Sequence, residues 1–271
     1  MSSHSQPIGI FDSGMGGLTV AHAVTKLLPN ESIIYFGDTA HAPWGDKSAA
    51  AIQAYSIKIC DMSIKRNCKL ILIACNSASA VAYELVKEYL GHKRMVVDVI
   101  DPMIDHLARY YVDKTIGLIG TKQTINSNIY KKKLDELGIN IQLNTLATPL
   151  LVPLIEEGFM DQTIMSDAIK TYLKESSLRN LDALVLGCTH YPLIKQQIKR
   201  FYGDSTTIVD STDIVAEAVK SRLKERKLLA VSTNGGPKKR FYVSDYTPAF
   251  SALASLFFKT PISLERYPLW E

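Results

Sequence analysis

The sequence predicts an α/β fold: two pseudo-symmetric domains, each built on an open parallel sheet, with the functional site in the cleft between them. Three features of the 271-residue chain predict it. Short runs rich in Ile, Val and Leu alternate with longer amphipathic stretches, the pattern of repeated βα units. Several of those runs are continuously apolar, as parallel strands covered on both faces require. The pattern halts at Asp101-Pro102 and then begins again.

In chain order, the first strands are expected at 8–11, 32–36, 70–74 and 95–99. They run into Asp12-Ser13-Gly14, Gly37-Asp38-Thr39, Ala74-Cys75-Asn76-Ser77 and Asp98-Val99-Ile100-Asp101. The second set restarts with Ile116-Gly117-Leu118-Ile119-Gly120-Thr121, giving strands at 115–119, 139–145, 184–186 and 207–209. Helical periodicity covers 48–67, 80–90 and 164–173, among others. A late strand at 240–243 and a helix candidate at 248–258 return to the first domain. The domains are therefore 1–100 plus 211–271, discontinuous, and 101–210. Asn234-Gly235-Gly236-Pro237 reads as a turn or loop. In open α/β sheets ligands sit beyond the carboxyl ends of the strands, so the loops that follow strands are the ones to inspect.

Composition narrows the function classes. Apolar residues make up 46% and charged residues 21%, ordinary for a soluble globular protein. The net charge of +4 is small, and Lys131-Lys132-Lys133 and Lys238-Lys239-Arg240 read as solvated faces, so no nucleic-acid partner is expected. Residues 1–6 are polar, the first apolar run stops at Asp12, and no apolar stretch is long enough to span a bilayer. A cytoplasmic protein without a membrane partner is expected. None of the cysteines, Cys60, Cys68, Cys75 and Cys188, forms a Cys-x-x-Cys pair, so a metal site is poorly supported. Each thiol is either core filler or chemistry.

Three segments carry candidate chemistry. Asp12-Ser13-Gly14-Met15-Gly16-Gly17 follows the first strand, and its glycines allow a ligand close to the backbone. A dinucleotide loop is one reading, with Asp38 as the ribose acid, but Thr19 stands where the third Gly belongs. The acid at the head of the loop suits an ammonium group better than a phosphate. In Ala74-Cys75-Asn76-Ser77, a buried strand ends at the thiol and a helix follows at once; Ser77 is positioned to cap it, and the helix N-terminus would favour thiolate. On that segment alone a buried structural cysteine fits equally well. Gly187-Cys188-Thr189-His190-Tyr191-Pro192 repeats the layout, with His190 two residues from the thiol and able to activate it. Cys60 and Cys68 lie in or at the end of a helical pattern and read as filler.

Together these motifs resemble glutamate racemase, within the aspartate/glutamate racemase superfamily, in order and spacing along essentially the whole chain. Pro43-Trp44-Gly45 occupies the place of the family's Pro-Tyr-Gly, and Gly120-Thr121 with Thr124 matches its second substrate loop. Val152-Pro153-Leu154-Ile155-Glu156-Glu157-Gly158 matches a segment whose first Glu, here Glu156, supports catalysis. Trp44 replaces the usual Tyr, Ser77 the usual Thr, and Thr148 a frequent Cys.

The resemblance implies cofactor-independent interconversion of L- and D-glutamate, supplying D-glutamate for peptidoglycan. Cys75 would deprotonate one enantiomer and Cys188 the other, assisted by Asp12 and His190 respectively. Substrate contacts would come from Asp12, Ser13, Pro43, Trp44, Gly45, Asn76, Ser77, Thr121, Thr124, Thr189 and His190. No cofactor and no metal is implied, glutamate is the small-molecule partner, and a homodimer stays open. An aspartate racemase is the nearest rival; a catalytically silent amino-acid-binding protein is the rival from another class.

Overall fold

The computed structural model describes residues 3–231 and 236–271, so Asn234 and Gly235 of the expected turn lie outside the described residues. The chain opens with β1 (Ile8–Asp12), α1 (Leu18–Leu27), β2 (Ile33–Gly37), α2 (Ala49–Lys65), β3 (Leu70–Ile73), α3 (Asn76–Leu90), β4 (Met95–Asp98) and α4 (Asp101–Tyr110). It continues with β5 (Thr115–Gly120), α5 (Lys122–Asn126), α6 (Ile129–Glu136), β6 (Gln142–Ala147), α7 (Leu151–Glu156), α8 (Thr163–Leu173), β7 (Ala183–Gly187), α9 (Lys195–Tyr202) and β8 (Thr207–Asp210). The last elements are α10 (Thr212–Glu225), β9 (Lys239–Val243), α11 (Pro248–Phe258) and β10 (Leu264–Arg266).

Two parallel sheets result. One has the order β10-β9-β2-β1-β3-β4 and the other β6-β5-β7-β8. In the first, β1 pairs on one side with β2 and on the other with β3; in the second, β5 lies between β6 and β7. The strand order reverses between β1 and β3 and again between β5 and β7. Those are the positions where an open α/β sheet leaves a crevice at its carboxyl edge. Cys75 follows β3, and Cys188 follows β7. The expected late strand is β9, which pairs with β2, and β10 adds an edge that the sequence pattern did not announce.

Side-chain parity aims the first thiol. Along β3, Leu70, Leu72 and Ala74 join the core on one face of the sheet, whereas Ile71, Ile73 and Cys75 join the core on the other. Successive side chains alternate across a strand, so the thiol's side follows from Ile71 and Ile73. Local signals set the helix ends. Ser48 caps α2 by accepting the Ala51 N–H at 3.3 Å, and Asn67 just beyond it takes φ 57°. The Asp98 carboxylate accepts the N–H groups of Ile100 and Asp101 at the start of α4.

Four expectations need correction. The strand expected at 139–145 runs over Gln142–Ala147, because Ile139 still closes α6: its N–H bonds to Leu134 O behind Gly138 at φ 65°. The helix after Cys75 begins at Asn76 rather than 80, with Cys75 itself at the cap position; Ser77 is inside the first turn and does not cap it. After Cys188 the chain makes a 3₁₀ turn over Tyr191–Ile194, and α9 begins only at Lys195. Pro192 lacks the N–H that an immediate α-helix needs beyond its first turn. Lys133, finally, is not simply part of a solvated run; it pairs with Asp101 at 2.7 Å and is only one-fifth exposed.

At the opposite, amino-terminal edge of the first sheet, Lys69 and Glu31 form a buried ion pair at 2.6 Å. Lys69 also donates to the carbonyls of His4 and Leu228, and Glu31 accepts the N–H of Ala230. This pair holds the segment before β1 and the segment after α10 to the underside of the sheet. No described helix is long and apolar enough to cross a membrane.

Candidate active site

Between the carboxyl edges of the two sheets lies a cavity with about 50 Å³ of solvent space, enough for a few water molecules. Ser13, Cys75, Asn76 and Ser77 reach it from the first sheet, and Thr121, Cys188, Thr189 and His190 from the second. Pro43, Trp44 and Gly45 cover it from the loop after β2, and Glu156 reaches it from α7. Asp12 and Thr124 do not line it. Asp12 is fully buried behind the glycine loop, and Thr124 sits behind Thr121, its hydroxyl 3.0 Å from that of Thr121.

On the first side, Cys75 Sγ lies 3.7 Å from Ser13 Oγ. Gly14 N–H donates to Asp12 Oδ2 at 3.0 Å, while Asp12 Oδ1 is buried without a hydrogen-bond partner. Burial raises the Asp12 pKa, and the charge of His190 and the N–H groups of the loop offset only part of that rise. The Cys75 thiol is pushed up to about 12, first by burial and then by the Asp12 charge. The expected helix-terminus effect is present, as a hydrogen bond from the Ala78 N–H, but it is too small to prevail. Burial therefore favours the thiol form of Cys75.

The second side differs. His190 Nδ1 stands 3.7 Å from Cys188 Sγ, and His190 Nε2 stands 2.9 Å from Glu156 Oε1. Burial alone would lower the His190 pKa, but Cys188 and Glu156 together raise it well above the ordinary imidazole value. The glycine loop fixes this ring from across the cleft. A Cβ on Gly16 would lie 2.3 Å from His190 Nδ1 and 2.6 Å from Thr189 Oγ1, so only glycine fits there.

Further contacts lock the two sheets together around the cavity. Ser77 Oγ meets Thr121 Oγ1 at 2.9 Å, Thr19 Oγ1 donates to Thr189 O at 3.0 Å, and Asn76 Nδ2 donates to Tyr130 OH at 3.2 Å. Asn76 Oδ1 is left buried without a partner.

Cys60 and Cys68 are buried outside this cavity, and Cys68 packs against Gly9. Their thiols are also pushed up to about 12, so acidity does not separate Cys75 from them; position at the cavity does. Sequence reasoning did not place Asp46, Lys122, Thr148, Pro149, Val152 and Pro153 in the wall. The signal available was their place soon after the carboxyl ends of strands β2, β5 and β6, in loops and in the first turns of the helices that follow. Lys122 and Asp46 form an ion pair at 3.2 Å, and Thr148 Oγ1 lies 2.6 Å from Tyr191 OH.

Among the described residues no group of His, Cys, Asp and Glu side chains is arranged to hold a metal ion. Asp38, the ribose acid of the dinucleotide reading, is fully buried and accepts hydrogen bonds from Ser244, Trp44 and Trp270. What the cavity offers is a pair of thiols, one beside a carboxylate and one beside an imidazole, with amide and hydroxyl groups between them.

Comparisons with known proteins identify relatives of the chain along most of its length. The description of the Asp/Glu/Hydantoin racemase family matches residues 19–219. A glutamate racemase of Geobacter metallireducens is 40% identical over 250 residues, covering 92% of each chain. The crystal structure of glutamate racemase from Francisella tularensis subsp. tularensis in complex with D-glutamate superposes with a TM-score of 0.90 at 37% identity, covering 98% of this chain and 99% of that one. A glutamate racemase isoform from Bacillus anthracis gives a TM-score of 0.88 at 33% identity, covering 97% and 98%.

Proposed function

The chain belongs to the Asp/Glu/Hydantoin racemase family and is an amino-acid racemase, and from that premise we propose that it interconverts L- and D-glutamate by passing the α-proton between Cys75 and Cys188. The observation that carries this reading is the delivery of two thiols to one cavity, each from the carboxyl edge of its own sheet at the point where the strand order reverses.

Inverting a stereocentre needs a proton removed on one face and returned on the other. Two acid/base groups in opposite protonation states meet that need. The two thiols have different neighbours on the two sides of the cavity. Cys75 rests as a thiol, able to donate. Cys188 has a partner, His190, that can take up its proton and is itself held by Glu156. After one turnover the states are exchanged, and the reverse reaction starts from the other thiol. A substrate ammonium group placed beside Asn76 Oδ1, which lines the cavity, would satisfy that buried, unpartnered oxygen. It would also offset the Asp12 charge that opposes ionisation of Cys75.

The Cα–H is a very weak acid, so charge building on the substrate carboxylate must be stabilised by donors already in place. The hydroxyls of Ser77, Thr121 and Thr189 and the N–H groups at the start of α3 are the candidates. A cofactor-independent reaction in the cytoplasm, supplying D-glutamate for peptidoglycan and so for cell shape, fits this assignment. Residues 1–100 plus 211–271 and residues 101–210 would act as two domains that open to admit glutamate and close to exclude water.

The test is α-proton exchange. L-glutamate and L-aspartate are incubated separately in heavy water with the chain and no added cofactor, and the Cα proton signal is followed by NMR. Loss of the glutamate signal is expected with the wild-type chain, and Cys75→Ser and Cys188→Ser should each abolish racemisation. Exchange of aspartate in preference to glutamate would move the substrate assignment to aspartate, and no exchange with either would defeat the racemase reading.

A further inference from the structure

We infer that Trp270 is a positioning residue for the loop that roofs the active-site cavity, acting through the buried carboxylate of Asp38. The inference rests on the racemase reading for its kinetic readout only. Trp44 and Gly45 line the cavity, and Gly45 is pressed against Thr121 from the other sheet; a Cβ on it would lie 2.8 Å from Thr121 Cβ. What holds this loop from behind is Asp38. Its carboxylate accepts from Trp44 Nε1 at 3.3 Å, from Ser244 Oγ at 2.8 Å and from Trp270 Nε1 at 2.7 Å, with His41 Nδ1 at 3.0 Å. Two indoles thus share one buried acid, one belonging to the roof and one to the segment after β10.

The rings repeat the connection. Trp270 meets His41 edge-on at 4.6 Å and Tyr55 at 5.4 Å, and Tyr55 stacks on His41 at 4.4 Å and leans on Trp44 at 5.6 Å. Trp270 is in turn fixed by the sheet. Tyr267 N–H donates to Val243 O and Leu269 N–H to Tyr267 O, which carries the chain from β10 back over the loop. Trp270 does not line the cavity, so it acts on the roof and not on substrate. Without its N–H, Asp38 loses a charge-assisted donor and must draw another from its surroundings. Trp44, whose bond to Asp38 is the longest, is the donor free to shift. Such a shift moves the Trp44-Gly45 backbone against Thr121 and lowers the fraction of molecules with a formed roof. Substrate affinity then falls in proportion to that fraction, while the thiols and their partners stay in place.

The chain has 2 tryptophans, so Trp270→Ala and Trp270→Phe each leave Trp44 as the sole reporter. The experiment measures KM and kcat for L-glutamate racemisation, acrylamide quenching of Trp44 fluorescence, and the thermal midpoint, in both variants. Trp270→Ala should raise KM roughly fivefold or more with kcat within roughly twofold, and make Trp44 more easily quenched. Trp270→Phe, which keeps a ring against His41 and Tyr55 but has no donor, should fall between wild type and the alanine variant in KM and should quench less than it. Unchanged KM with Trp44 equally shielded in both variants overturns the inference. So does a loss of kcat and KM together that merely follows a falling thermal midpoint. If the wild-type chain turns over no glutamate, the racemase reading fails, and the difference in quenching between the two variants decides this inference alone.

Discussion

Asp12 is fully buried, one of its oxygens lacks a partner, and burial raises its pKa above the ordinary 3.8. A carboxyl whose folded pKa is raised is one whose ionised form folding disfavours. The cost is absent well below pH 3.8, grows as pH rises past it, and is complete once pH exceeds the folded value. Asp12→Asn should therefore raise the thermal midpoint at pH 7 by roughly 2–4 °C, with little gain at pH 3. The same variant should slow proton transfer through Cys75 more than through Cys188. Calorimetry and primary isotope effects in the two directions check both halves; a midpoint that falls at pH 7 contradicts the first. Gly16 gives a second prediction at this scale. Gly16→Ala should lower kcat/KM roughly 100-fold by driving His190 and Thr189 from their places, measured with thermal unfolding as the control for folding. The thiols at strand ends were legible in the sequence because a buried run, a Cys and a small polar residue recur in both halves. The protonation of Cys75 was not. A helix N-terminus is a local feature, whereas the burial that outweighs it comes from residues distant in the chain.

The strands were legible where both faces are covered, as in β1, β3 and β7, whose residues are buried throughout. Elements whose signal lies in tertiary pairing were less so. β10 has only Leu264–Arg266 and an exposed side, so no apolar run betrays it. The chain after Cys188 resembled that after Cys75 in sequence, yet Pro192 makes it a 3₁₀ turn, and the two thiols are not presented by identical helix termini. The Lys69–Glu31 pair was also invisible in advance, since nothing in either local sequence marks a buried charge. Its role gives a prediction at the element scale. Lys69→Met should destabilise the fold by roughly 3–5 kcal/mol, because it strands Glu31 and frees the carbonyls of His4 and Leu228. Lys131→Ala, which removes an exposed pair with Asp135, should change stability by less than about 0.5 kcal/mol. Urea unfolding of both variants checks the contrast; equal effects would remove the pair from its anchoring role.

At the scale of the molecule, the site exists only where the two sheets meet. Ser77 with Thr121, Thr19 with Thr189, and Asn76 with Tyr130 close the cleft, and neither sheet alone carries both thiols. The sequence pattern located both halves of this arrangement, while the Trp44 and Trp270 bonds to Asp38 needed the fold to be found. The central claim is that the proton leaves to one thiol and arrives from another. The most direct measurement is the isotopic content of both glutamate enantiomers early in the reaction, started from unlabelled L-glutamate in heavy water. The account predicts D-glutamate that carries deuterium at Cα while the remaining L-glutamate keeps its protium. D-glutamate formed with the original protium retained would show one base serving both faces, and would contradict it.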